Sequence, residues 1–168
     1  DLRQFGRLWL FPADSPDSPA GLKNLGPEPL DRSFTGKIFA KKLQTRRTKI
    51  KPLLLDQSFI AGLGNIYTDE ALHRAGINPE QPANSLTHRE AARLYRAVRS
   101  VLREGIQNRG TSVRDYIDGE GRAGKYQEML RVYNREGQSC LKCGHPIARK
   151  KIGSRSAYYC PACQQQKF

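Results

Sequence analysis

Two cysteine pairs constrain this chain more than anything else in it. Cys140-x2-Cys143 and Cys160-x2-Cys163 stand 16 residues apart, and no further thiol is left over. A CxxC turn is tight enough to aim two sulfurs at one ion, and two such turns close a tetrahedral four-thiolate site, the arrangement that suits zinc. Two disulfides are the other reading of the same residues; the paired spacing and the even count favour a metal and a reducing compartment. Four protein ligands leave no open coordination position, so the expected Zn2+, one per chain, is structural and holds together a β-hairpin too small to fold alone. His145 reads as a turn residue, because four thiolates already suffice. Arg149, Lys150, Lys151 and Arg155 lie between the pairs, with no acidic residue from Cys143 to Cys160. The hairpin tip is therefore positive, with Tyr158 and Tyr159 to pack its stem, and such a tip fits a DNA groove or phosphate.

The charge of the whole chain points the same way. Across 168 residues, 29 Lys and Arg oppose 16 Asp and Glu, a formal net charge of +13. A protein that neutralises phosphates releases their counterions, so nucleic acid is the first partner to consider. An anionic membrane surface would call for a basic amphipathic helix without a competing fold, and the helices here read as core helices. No apolar run reaches the ~18 residues of a transmembrane span. The opening DLRQFGRLWLFPADSP lacks the layout of a signal peptide. With the cysteine usage, the expected location is cytoplasmic.

Residues 1–11 are apolar and aromatic and read as a strand, which cannot be stable without a partner. Residues 12–33 are proline-rich, a linker or an ordered crossing loop. Residues 34–134 read as helical. The clearest helix covers 88–108: Thr87 and Glu90 form a capping box, Leu94, Tyr95, Val98, Val101, Leu102 and Ile106 recur at helical spacing, and Gly110 follows where a left-handed cap is common. Its arginines (89, 93, 96, 99 and 103) read as a solvated face. Upstream, KPLLLDQSFIAGLGNIYTDEALHRAGINP reads as a short helix, a tight turn at Ala61-Gly62-Leu63-Gly64 and a second helix from Asn65 to about Ala75, ended by Gly76 and Pro79. A further short helix is expected over 112–117, then a glycine-rich loop at 119–125.

The glycine turn is a candidate phosphate site. Glycines let the backbone approach an oxygen closely, and the following helix offers free N–H groups and a positive dipole end. Asn65 adds a side-chain donor and Lys51 a charge. An ordinary helical corner would have the same sequence.

Together these residues resemble the formamidopyrimidine-DNA glycosylase and endonuclease VIII family. The carrying motifs are DLRQFG (1–6), LGPEPLD (25–31), IKPLLLDQSFIAGLGNIY (50–67), GINP (76–79), GEGRAGKYQ (119–127), VYNREGQSC (132–140) and CPACQ (160–164). The resemblance implies a mainly α fold with a small β zinc hairpin. A remnant strand of an N-terminal β-sandwich (1–11) and a linker (12–33) precede a helix-two-turn-helix domain (34–134) and a zinc finger (135–168). It implies that Lys51, Gly64, Asn65 and Arg155 bind phosphates of a bent duplex whose target base is flipped out. Arg3 and Phe5 match an insertion loop that reads the orphaned base and wedges the stack. Arg122, Gly124, Lys125 and Tyr126 match the loop that covers the flipped base. Gln4 stands where many relatives carry a second arginine.

The family's chemistry uses an N-terminal proline amine that attacks the sugar and forms a Schiff base before strand cleavage. No counterpart of that proline is read here, so the expectation is the damaged-DNA-binding part of a base-excision repair glycosylase and AP lyase acting on oxidised purines, inactive without its N-terminal domain. The resemblance also implies a monomer, nucleoid-associated in a bacterium, whose partner is double-stranded DNA containing an oxidised base or an abasic site. A stand-alone zinc-ribbon module for nucleic acid, or a zinc-stabilised interaction scaffold, are the competing readings.

Overall fold

The structure, a computed structural model, describes residue 10, residues 23–111 and residues 124–166. The expected strand at 1–11 (Leu10 apart), the short helix at 112–117, and Arg3, Phe5 and Arg122 lie outside these residues.

Helix α1, Gly36–Gln44, begins where the Thr35 hydroxyl accepts the Ile38 N–H (3.4 Å), and Lys41 and Lys42 sit in its last turn beside the negative dipole end. Helix α2, Ile50–Leu55, carries Pro52 in its first turn, where no intrahelical N–H is needed. Helix α3, Asn65–Ala75, ends on Gly76 in the left-handed conformation (φ 64°). There the Gly76 N–H donates to His73 O and the Ile77 N–H to Leu72 O, the Schellman pattern. Helix α4, His88–Gln107, carries the expected capping box: Glu90 N–H donates to the Thr87 hydroxyl and Thr87 N–H to the Glu90 carboxylate. Its end has two left-handed residues, Arg109 (φ 58°) and, as expected, Gly110 (φ 78°), and Gly110 N–H closes the motif on Gly105 O.

The apolar faces of these helices meet in one core. Phe39 of α1, Ile50 and Leu54 of α2, Leu72 of α3, and Leu94 and Val101 of α4 are fully buried, each contributing roughly 1.5–3 kcal/mol. Phe34 meets the rings of Phe39 and Tyr95 edge to face beside α1. The proline-rich approach is an ordered crossing loop from Gly26 onward. Gly26 N–H donates to Gln57 O, and a side chain there would strike the backbone of Ser58 and Phe59. Arg99 donates to the carbonyls of Pro29, Leu30 and Asp31, and Arg93 to Ala75 O. Two of the five α4 arginines are thus backbone clamps, whereas Arg89, Arg96 and Arg103 are exposed.

Strands β1, Ala148–Ile152, and β2, Arg155–Tyr159, form an antiparallel hairpin in which Ile152 pairs with Arg155 and Ala148 with Tyr159. Its small core is Val132, Cys140, Ile147 and Cys160, and Tyr158 packs edge-on against Tyr133 (ring centroids 5.1 Å apart). So little apolar area cannot hold a unit of this size, which is where a metal becomes necessary.

Candidate nucleic-acid interface

The four cysteine sulfurs lie within 4.8 Å of one another. Cys143 Sγ is 3.5 Å from Cys160 Sγ and 3.3 Å from Cys163 Sγ, and Cys140 Sγ is 3.9 Å from Cys163 Sγ. A tetrahedral zinc thiolate site has edges of about 3.8 Å, so the donor set and its spacing fit zinc. His145 is exposed and takes no part, as expected. Burial raises the Cys163 thiol to about 12. At Cys140 burial acts the same way but is outweighed by the amides of Lys142 and Cys143, and that thiol comes down to about 7. A bound cation would hold all four as thiolates.

The finger does not stand apart from the helices. Asn78 Nδ2 donates to Gln164 O, and the buried Gln164 side chain bonds back to Ile77 O and Cys160 N–H. His73, buried on α3, places Nε2 3.4 Å from Cys140 Sγ. Burial, with Lys142 and Arg131 nearby, pushes its ring down to about 4. Glu80 ties Lys49, just before α2, to Lys150 of β1. Glu70 accepts the N–H groups of Arg131, Val132 and Tyr133, where the chain passes from the helices to the finger.

Between the two units runs a groove of about 570 Å³, lined among others by Pro52, Gly64 and Asn65 on one side and Gly153, Ser154 and Arg155 on the other. Gln57 shapes the first wall: its amide donates to Leu63 O and accepts the Gly62 N–H. Gly62 adopts φ 78°, and Gly64 caps α3 in extended form. The glycine turn therefore delivers the N-terminus of α3 to the groove. Asn65 donates Nδ2 to Ser156 O (3.1 Å), while its Oδ1 is buried without a partner among the described residues. Arg155 is exposed at the opposite wall, and no described side chain engages its guanidinium. Gly64, Asn65 and Arg155, far apart in sequence, are brought together.

Lys51 is placed behind this groove. Its side chain has no exposed surface; Nζ donates to Asp69 Oδ1 (2.5 Å) and to Ser156 O (2.6 Å). Burial lowers the Lys51 pKa and raises Asp69 to about 6, against the pull of each on the other. The partner that draws the ammonium inward, Asp69, carries no signal in the sequence: within TDEALHR it reads as one more polar helix residue.

Of the loop residues, Gly124 is buried against the carbonyls of Arg109 and Gly110, and Lys125 is exposed, its N–H bonded to Asn108 O. Tyr126 is buried, its ring 5.2 Å from that of Tyr67, and burial raises its hydroxyl pKa. These three residues anchor the end of the loop to the turn that closes α4 and, through Tyr126, to Tyr67 of α3.

A helical corner facing the tip of a four-cysteine finger across one groove, whose lining includes Asp56 as well as Arg155, defines a two-part candidate nucleic-acid interface. Residues 25–116 match the formamidopyrimidine-DNA glycosylase H2TH domain, and residues 137–166 match the zinc finger found in FPG and IleRS; the chain belongs to the formamidopyrimidine-DNA glycosylase family. It is 64% identical over 167 residues to the formamidopyrimidine-DNA glycosylase of Pelotomaculum thermopropionicum and 55% identical to that of Desulforamulus reducens, in each case over 99% of this chain and 60% of the relative. The crystal structure of the MutM (Fpg) protein from Thermus thermophilus superposes with a TM-score of 0.83 at 44% identity, covering 87% of this chain and 56% of that one. The Lactococcus lactis Fpg in complex with abasic-site DNA gives 0.80 at 40% identity, covering 86% and 53%. The chain thus spans about three fifths of the length of the curated relatives it matches. Among the described residues no helix is long and apolar enough to cross a membrane.

Proposed function

We propose that this chain is the DNA-gripping part of a base-excision repair glycosylase, a monomer that clasps duplex DNA at an oxidised base or abasic site. The observation that carries this reading is the convergence of Gly64, Asn65 and Arg155 on one groove. A helix N-terminus and a guanidinium from opposite walls make a cradle for phosphate oxygens, and phosphate contacts set register on a duplex without reading its sequence. The base-covering loop would extend from the Gly124–Tyr126 anchor, and Arg3 and Phe5 would fill the gap left by the extruded base. The glycosylase chemistry named in the relatives, and the lyase step expected with it, would come from an N-terminal domain acting with this chain. Zinc, held by Cys140, Cys143, Cys160 and Cys163, would keep the Arg155 tip rigid and take no part in bond breaking.

A stand-alone zinc ribbon fits less well, because the finger's core is small and Lys51 of α2, Asp69 of α3 and Asn78 all hydrogen-bond into the finger. Amide chemical-shift mapping with a short duplex carrying an abasic analogue tests the reading. Signals of Gly64, Asn65 and residues 153–155 should move together on addition of DNA. Shifts confined to the exposed α4 arginines would place the DNA elsewhere.

A further inference from the structure

One face of α3 joins the finger to the helices. Asn65, Asp69 and His73 follow each other at intervals of four residues, so their side chains line one side of the helix. Each reaches the finger: Asn65 at Ser156 O, Asp69 at the Tyr158 N–H (Oδ2, 3.0 Å), and His73 at Cys140 Sγ. Asp69 is the centre of the row. Its other oxygen takes the Lys51 ammonium, which in turn bonds Ser156 O. Lys51 and Asp69 together therefore fix β2 at residues 156 and 158, immediately after Arg155 in the same strand.

We propose that Asp69 is a positioning residue for DNA binding: with Lys51 it sets the place of Arg155 opposite Asn65, and Lys51 itself does not touch the phosphate. The inference rests on the groove being the DNA site. Side chains of Lys51 and Asp69 are 0% and 1% exposed. For Lys51 to reach a phosphate it would have to give up two hydrogen bonds and abandon a buried carboxylate, a loss that outweighs one more contact in water. Buried ion pairs add little net stability compared with apolar residues of similar size. What this pair supplies is direction, since its two hydrogen bonds to β2 allow one register of the strand against the helices.

The full chain is compared with Asp69→Asn, Lys51→Met, the double variant Lys51→Met/Asp69→Asn, Arg155→Ala and Asp69→Asn/Arg155→Ala. The probe is a duplex carrying an abasic analogue, read by fluorescence anisotropy, with circular dichroism and zinc content as checks of folding. In Asp69→Asn the buried ammonium loses its anion, and affinity should fall about tenfold, the effect of one lost charge-assisted contact. The same change should cost nothing further once Arg155 is gone. The Lys51→Met/Asp69→Asn variant has no buried charge, and the Asn carbonyl still accepts the Tyr158 amide; its affinity should return to within about twofold of the parent. Where Asp69→Asn alone fails to fold, this double variant decides the matter. If it stays as weak as Lys51→Met and loses as much salt dependence as Arg155→Ala, Lys51 contacts DNA directly and the proposal is wrong. It is equally wrong if a folded Asp69→Asn binds as tightly as the parent. Hydrogen exchange at the Tyr158 amide, measured without DNA, separates this from failure of the groove reading. Exchange should quicken in Asp69→Asn and slow again in the double variant even if the parent ignores duplexes, and identical exchange in all three would overturn the positioning role.

Discussion

Glu70 Oε1 accepts the Val132 amide at 2.9 Å, and the same carboxylate takes the amides of Arg131 and Tyr133 as well. Glu70 is only 2% exposed, so one buried side chain of α3 satisfies three successive backbone donors where the chain enters the finger. Glu70→Gln would turn an amide donor toward them. We expect a loss of about 2 kcal/mol in unfolding free energy, as for other buried charge-assisted hydrogen bonds. Urea denaturation of both proteins measures it.

The groove has two walls, and each predicts a different binding defect. Arg155→Ala removes a charge and should lower the slope of log affinity against log salt by about one. Asn65→Ala removes a neutral donor, so affinity should fall by about tenfold with the slope unchanged. Titrations of a duplex at several salt concentrations distinguish the two.

Removing the metal should act locally first. Cys160→Ser, or treatment with a strong chelator, should release one zinc per chain and unfold the hairpin. The helical circular dichroism should largely remain, because the main core, with Leu54, Leu72 and Leu94 at its centre, is built without the finger. Retention of a full equivalent of zinc by Cys160→Ser would contradict a four-thiolate site.

Glu80 gives the joint between finger and helices a pH dependence. Hydrogen bonds from Lys150 and then Lys49 hold its carboxyl below the ordinary glutamate value. The unfolded chain therefore takes up its proton first as pH falls. The stabilisation is complete above the ordinary value and is lost as pH drops through the lowered one. The denaturation midpoint should fall more steeply in acid for the parent than for Glu80→Gln, and parallel profiles would show that the bridge does not titrate with folding.

Much of this was legible because local chemistry dictated it. Helix α3 runs from Asn65 to Ala75 as read, since a glycine turn starts it and Gly76 stops it. The Thr87–Glu90 box and the paired cysteines were equally plain, each being set by residues a few positions apart. What escaped was long-range. Asp69 and Glu70 resemble surface residues until the finger folds over them, and Lys51 offers a charge to solvent only in a chain without Asp69 opposite. Gln57, which shapes the glycine turn, has no motif at all. Arg109 joins Gly110 in the left-handed region without any local signal, because the backbone closes on Gly105 there.

The central claim is that the groove between the α3 corner and the zinc finger, with Asn65 on one wall and Arg155 on the other, grips duplex DNA at a damaged nucleotide. Its most direct test is the affinity of this chain for a duplex with an abasic analogue and for the same duplex undamaged, each at low and moderate salt. The account predicts binding to both that weakens steeply with salt, with a preference for the abasic duplex that persists at both concentrations. Equal and salt-insensitive affinities, or no binding at low salt by a folded, zinc-loaded chain, would contradict it.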